Sequence, residues 1–324
     1  MHTLLSLPRE LRDKILFEVV TQPAAAPKTP GDPETRTTKH PDGKRSGWGY
    51  GQEVMFHGRW NRTTFIPTLL VNRQLHAETH SAIDRLTLNV YILDIMMVDD
   101  KQLWPTWLSV PRLATAVDKV CATFRIFGAA ESYEESGFRG GDGGPPAMEW
   151  TLFIFLDRFL HYGPAGLWQR KTATSIVSLK ELDMNFNFPD HPEDLVSSRD
   201  VYLSGFCQKS LFELRRRDGK NYTMHPEVWL EFVSSSIGSL LAMSYHTGSF
   251  GAILYERIGK IRVLFNGEIR REWDLAILLS EMKFYDSFGE ISRDYRKDYF
   301  CEWKIKAYHK RVELGLPVLP FKET

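Results

Sequence analysis

Apolar and polar positions alternate along the chain in two rhythms, one helical and one strand-like. From Leu4 to Val20, LLSLPRELRDKILFEVV, Leu7, Leu11, Ile15 and Val19 recur every fourth position, with Leu16 and Val20 widening the stripe. Arg9, Arg12, Asp13 and Glu18 keep largely to the other side, which predicts an amphipathic docking helix. Pro8 has no N–H to lose in a first helical turn, and Glu10 sits favourably near the positive end of the helix dipole. A second helix is predicted from near Pro67 to about Leu86, with Ile66, Leu69, Leu70 and Ala77 on one side and Arg73 in the middle of that stripe. A buried guanidinium needs a partner, so Arg73 is expected to bond carbonyl oxygens or a carboxylate of the first helix, with Glu10 the first candidate.

Strand patterns follow. Asn89 to Val98 is a nearly continuous β-branched and apolar run, and Val120 to Phe127 alternates strictly. Leu103 to Leu113, punctuated by Pro105 and Pro111, reads as a short helix or turn whose tryptophans cover the sheet. Trp150 to Tyr162 reads as a buried helix. Leu182 to Phe188 has the cleanest period of two, with Leu182, Met184, Phe186 and Phe188 inward and Asp183, Asn185 and Asn187 outward. Pro226 opens another helix, Phe250 to Gly259 follows after a break, and Lys260 to Phe265 is a short strand. Glu268 to Phe284 and Ser292 to Leu314 read as closing helices, and Arg215 to Lys220 as a solvated loop.

This order predicts an α/β (α+β) fold in which an N-terminal helical hairpin packs on a small, mainly parallel sheet with crossover helices. SLKELDMNF has the character of a degenerate leucine-rich-repeat strand. Residues 1–86 form the helical region, with a mobile insertion at 21–62 that is rich in Pro, Gly, Thr and charge. Residues 87–324 form an α/β interaction domain with C-terminal helices.

Composition narrows the function. With 43% hydrophobic and 13% aromatic residues the chain can bury a substantial core. Lys plus Arg and Asp plus Glu are both 41, so no global field draws it to nucleic acid or an anionic membrane. No apolar run approaches the roughly 18 residues of a membrane span. Charges and Pro8 interrupt the N-terminal segment, so no secretory signal is expected. The three cysteines are far apart, against a disulfide framework or a CxxC metal site, and point to a reducing, intracellular compartment, cytoplasmic or nuclear.

The chemistry-bearing patterns are near misses. HAETH, His76 to His80, places its glutamate one position too late for a zincin and reads as a solvated polar face. TGSFG, Thr247 to Gly251, lacks the leading glycine of a nucleophile elbow and reads as a turn. GWGYG, Gly47 to Gly51, has no strand before it and no helix after it to aim its amides at a phosphate. No catalytic residue, metal or cofactor is expected.

At Leu4 to Val20 and at Leu69 to Ile83, LLVNRQLHAETHSAI, the chain resembles the F-box, in particular fungal F-box-like proteins: Leu-Pro-x-Glu-Leu, then Ile-Leu, then Leu-Val-x-Arg. LWPTWLSVP, MSYHTGSFGAILYERIG and FCEWKIKA resemble fungal proteins that share this N-terminus. The resemblance implies a non-enzymatic adaptor of a cullin-type ubiquitin ligase. Leu7, Pro8, Leu11, Ile15 and Leu16 would meet a Skp-type adaptor protein, and the α/β region would hold a client protein. On the wet strand face, Arg125, Asp183, Asn185 and Asn187 are the candidate client contacts. The alternatives are a self-contained α/β scaffold that binds no adaptor and a hydrolase with an unrecognised site.

Overall fold

The structure is a computed structural model that describes residues 4–31, 35–38, 53–57, 71–139, 145–164, 176–188, 196–199, 209–220, 222–244, 247–285 and 295–321. A two-residue pair, β1 (Arg36–Thr37) with β2 (Phe56–His57), stands apart from the main sheet. The main sheet comprises β3 (Val90–Val98), β4 (Gln102–Ser109), β5 (Ala116–Phe127), β6 (Ser178–Phe186), β7 (Ile258–Phe265) and β8 (Glu268–Asp274), in the order β4-β3-β5-β6-β7-β8. The inner strands β3, β5, β6 and β7 run parallel, and β4 and β8 close the edges antiparallel.

Each parallel step moves in the same direction across the sheet, so right-handed crossovers lay their helices on one face. Two helices precede the sheet, α1 (Arg9–Thr21) and α2 (Arg73–Asp84). The first crossover is α3 (Ala147–Tyr162), and the second contains α4 (Lys209–Asp218), α5 (Pro226–Leu241) and α6 (Gly248–Arg257). The chain ends in α7 (Leu275–Glu281) and α8 (Arg296–Glu313). Phe124, Met184 and Val263 lie in the core with residues of these helices. Trp229 of α5 stands edge-on to Phe124 and Phe186, with centroids 5.1 and 5.3 Å away. Phe159 of α3 packs on Trp107 at 5.3 Å. The patterns read at Asn89 to Val98, Trp150 to Tyr162 and Pro226 onward appear at those places, whereas the strand read over Leu182 to Phe188 runs from Ser178 to Phe186, and Phe188, expected inward, lies beyond it and is 42% exposed.

Three expectations are corrected. Leu103 to Leu113 supplies β4 rather than a helix or turn: an edge strand needs no donor on its outer side, so Pro105 is tolerated opposite Ile95. Glu268 to Phe284 splits into β8 and α7. Asn266 and Gly267, at φ 49° and 84°, make the tight turn after β7, and the Asp274 carboxylate accepts the Ala276 and Ile277 N–H groups to start α7. Arg215, expected in a loop, is a buried residue of α4 that donates to the Tyr222 and Ala130 carbonyls and to the Asp100 carboxylate, at 2.7, 3.3 and 3.1 Å. Burial pushes the Asp100 carboxyl up despite that arginine.

Within 21–62, some of the described residues are held against the β4 side of the sheet. Arg36 is buried over the Trp104 ring at 4.8 Å and donates to the Met55 and Pro105 carbonyls and to Thr106 Oγ1. Desolvation pulls its pKa to about 10. Val54 bridges Leu103, and the Met55 N–H reaches the Leu103 carbonyl at 2.8 Å. The segment therefore satisfies backbone groups that the β4 edge would otherwise expose. GWGYG and the start of the second predicted helix, Pro67 to Leu70, lie outside the described residues. No helix among the described residues is long and apolar enough to cross a membrane.

Candidate functional site

The first candidate surface is the outer side of α1. Arg12, Leu16 and Val20 are buried at four-residue spacing, with Leu16 and Val20 closing a small cluster with Leu75, Ala82 and Ile83 of α2. This cluster is separate from the main core. The apolar residues left outside form a ridge: Leu11 is 47% and Ile15 39% exposed, Pro8 is exposed and Leu7 half-buried. Of the five residues assigned to adaptor docking, Leu16 is thus an inner residue, 1% exposed. The reading of Leu7, Leu11 and Ile15 as one stripe is kept, but the face α1 turns to its own chain is the neighbouring one.

The helices are joined by a pair that sequence reasoning missed. Arg12 grips the Glu78 carboxylate with two bonds, of 2.9 and 2.6 Å, and donates from Nη1 to the Leu7 carbonyl at 2.5 Å. A guanidinium fork matches a carboxylate in this bidentate way, and its remaining nitrogen fixes the turn that leads into the ridge. With Gln74 also donating to it at 3.0 Å, Glu78 has its pKa pulled down to about 2. Arg85 adds a more exposed bridge to Asp13 at 3.0 Å. Arg73, expected in this role with Glu10, is exposed, as is Glu10, and Arg73 has no partner among the described residues. The error was rotational. Because Leu75, Thr79, Ala82 and Ile83 are the buried residues of α2, Ala77 and Arg73 face away. In HAETH, His76 and His80 are exposed with ring centroids 4.5 Å apart, while Glu78 turns to Arg12 instead of solvent.

The second candidate surface is the sheet face opposite the crossover helices. Along β5, Lys119, Cys121, Thr123 and Arg125 are half-buried, the last three each between buried neighbours. Arg125 grips Asp94 of β3 with two 2.7 Å bonds. Asp183 accepts from Lys119 at 2.7 Å and from Arg262 Nε at 2.7 Å, and Arg262 also reaches Glu181 at 2.6 Å. Lys260 pairs with Glu272 at 3.2 Å. The Asp183 bond in particular holds the Arg262 pKa up, whereas partial burial pushes the Cys121 thiol up. Asn185 Oδ1 accepts the Gly267 N–H at 2.9 Å, and Asn187 Oδ1 is buried with no partner among the described residues. The four candidate client contacts therefore share one face, but Arg125, Asp183 and Asn185 are engaged within the chain and Asp183 is only 9% exposed.

No protein-family model, curated protein or solved structure matches this chain.

Among the described residues no three His, Cys, Asp or Glu side chains converge to hold a metal. Between α3 and the sheet, Leu93, Ala122, Phe155 and Met184 line an apolar void of about 20 Å³. Such a lining offers a water no hydrogen bond and a substrate no polar handle. At TGSFG, Thr247 stands at the N-terminus of α6, its Oγ1 donating to the Ser239 carbonyl at 2.9 Å and accepting the Ser244 N–H at 3.0 Å. These bonds tie the turn before α6 back to the end of α5, and the Thr247 side chain caps no N–H of α6.

Proposed function

We propose that the chain is a non-enzymatic F-box-like interaction protein. The ridge of Leu7, Pro8, Leu11 and Ile15 docks a Skp-type adaptor of a cullin-type ubiquitin ligase, and the singly wound α/β layer, read as a degenerate leucine-rich-repeat form, holds a client protein. The observation that carries this reading is that Leu11 and Ile15 stay exposed although Leu16 already closes the helical pair from within. An apolar ridge that the described residues do not cover is suited to a partner. Arg12, bonded to both Glu78 and the Leu7 carbonyl, holds it in shape.

Co-purification of the tagged chain with a purified Skp-type adaptor tests the proposal. The adaptor is retained by the unaltered chain and lost with Leu11→Asp plus Ile15→Asp, while the thermal transition of the variant is unchanged. Failure of the unaltered chain to retain the adaptor removes this reading in favour of a self-contained scaffold.

A further inference from the structure

The segment that leaves α1 has its own periodicity. Between Gln22 and Pro27 only Ala24 and Pro27, three residues apart, are half-buried and the others are exposed; Thr21 still belongs to α1 and Pro30 lies past a bend. Three residues per turn is the repeat of a polyproline II helix. Gln22, at φ −67° and ψ 123°, opens the segment near that conformation, and the chain bends only at Lys28 and Thr29. Two hydrogen bonds pin it: the Ala24 N–H donates to the Leu108 carbonyl at 2.8 Å, and Arg125 Nη2 donates to the Pro27 carbonyl at 2.7 Å. Both grip backbone groups, so they impose spacing and extension rather than particular side chains. Ala25 and Ala26 are exposed.

The receiving surface is organised by residues outside the segment. Asp94, 1% exposed, holds the Arg125 guanidinium in plane through two bonds, and the Phe127 ring lies 5.1 Å from it. Extended proline-rich chains are commonly received by aromatic-lined surfaces. We propose that the Arg125 end of the open sheet face is a docking groove for an extended, uncharged Ala/Pro-rich segment of a partner protein, filled in cis by residues 22–27 of this chain. The tether to α1 gives the internal segment a millimolar-scale effective concentration, so an external one competes only when the internal one is loosened or released. The inference deepens the reading of this face as client-facing. Its assay contains no adaptor, so its failure and that of ridge docking are separately visible.

The probe is a fluorescein-labelled peptide with the sequence of residues 22–27, QPAAAP, followed by anisotropy against the full chain. Replacing residues 23–27 by alternating Gly and Ser opens the groove and is expected to tighten peptide binding at least tenfold over the unaltered chain. Adding Arg125→Lys, which keeps a cation beside Asp94 but not the fork that also reaches Pro27, is expected to abolish the gain. If the exchanged chain loses its thermal transition, Ala24→Pro serves instead, because it deletes one pinning N–H and keeps the backbone extended. No binding to a folded, loosened chain, binding as tight to the unaltered chain, or binding indifferent to Arg125→Lys each overturns the proposal.

Discussion

Leu16 and Leu11 lie on the same helix, and truncating each to alanine separates the inner face of α1 from its ridge. Leu16 is 1% exposed in a cluster of five buried side chains among the described residues. Leu→Ala changes in protein cores cost about 2–5 kcal/mol, and a cluster this small relaxes readily, so about 2–3 kcal/mol is expected. Leu11 is 47% exposed. At about 1.5–3 kcal/mol for full burial of a leucine, it forfeits only about 1 kcal/mol. Because the helical pair has its own cluster, it can open without the sheet, and amide hydrogen exchange on α1 and α2 reads that opening directly. Exchange there should accelerate about 30- to 150-fold in Leu16→Ala and about 5-fold in Leu11→Ala, with the strand amides little changed. Equal acceleration by the two variants would mean that Leu11 is packed as deeply as Leu16, and no ridge would remain for a partner to grip.

Acid should weaken the same helical pair. Glu78 is depressed from 4.5 to about 2 in the folded chain, so the unfolded form takes up the proton first on acidification. The contribution of Glu78 is full above pH 4.5 and is lost as the pH falls through about 2; Glu78→Gln should flatten that part of the exchange profile. Removing one member of the Asp94–Arg125 pair strands a buried carboxylate, so Arg125→Met should cost about 3–5 kcal/mol by urea denaturation, and Asp94→Asn in the same chain should recover part of it. A Cβ on Gly251 would lie 2.0 Å from the Leu240 carbonyl oxygen, a backbone atom that cannot swing aside. Gly251→Ala should therefore lower the thermal midpoint through a loss of about 1–3 kcal/mol as α5 and α6 are forced apart.

The elements legible in the sequence were those whose neighbours all agree with their own rhythm. β5 alternates from Val120 onward because one side meets the helices and the other does not, β6 alternates in residue type although its Asp183 is also buried, and α3 is largely apolar because it is packed nearly all round. The misreadings have local causes. Pro105 argued against a strand until the strand proved to be an edge. Asn266-Gly267 is a strong short-range hairpin signal that was outweighed by the helical look of Leu275 to Glu281. The Arg12–Glu78 pair was unreadable because four-residue spacing fits two adjacent faces of α1 almost equally well. Only the position of α2 decides whether Leu11 or Arg12 turns inward. Leu16 and Val20, four residues apart and in phase with Arg12, were the available hint.

The open sheet face follows from chain order. Parallel sheets usually carry helices on both sides, which requires the winding to reverse at some strand. Here the order β3-β5-β6-β7 never reverses, so one side receives no crossover helix. An apolar second face would then stand exposed. The chain instead places Lys119, Arg125, Glu181, Asp183 and Arg262 there and pairs them across strands, each cross-strand pair contributing about 0.2–1 kcal/mol. At the β3 and β4 end the residues turn apolar again, with Met96 and Trp104 buried in a cluster of their own, and it is there that Met55 packs and Arg36 lies over the tryptophan. The segment after α1 pins to Arg125 beside that cluster. The cover over this side is therefore assembled from the chain between α1 and α2, which ties the ridge-bearing helices directly to the sheet face proposed to meet a client. A partner that displaced residues 22–27 would loosen this tie between the two proposed docking surfaces.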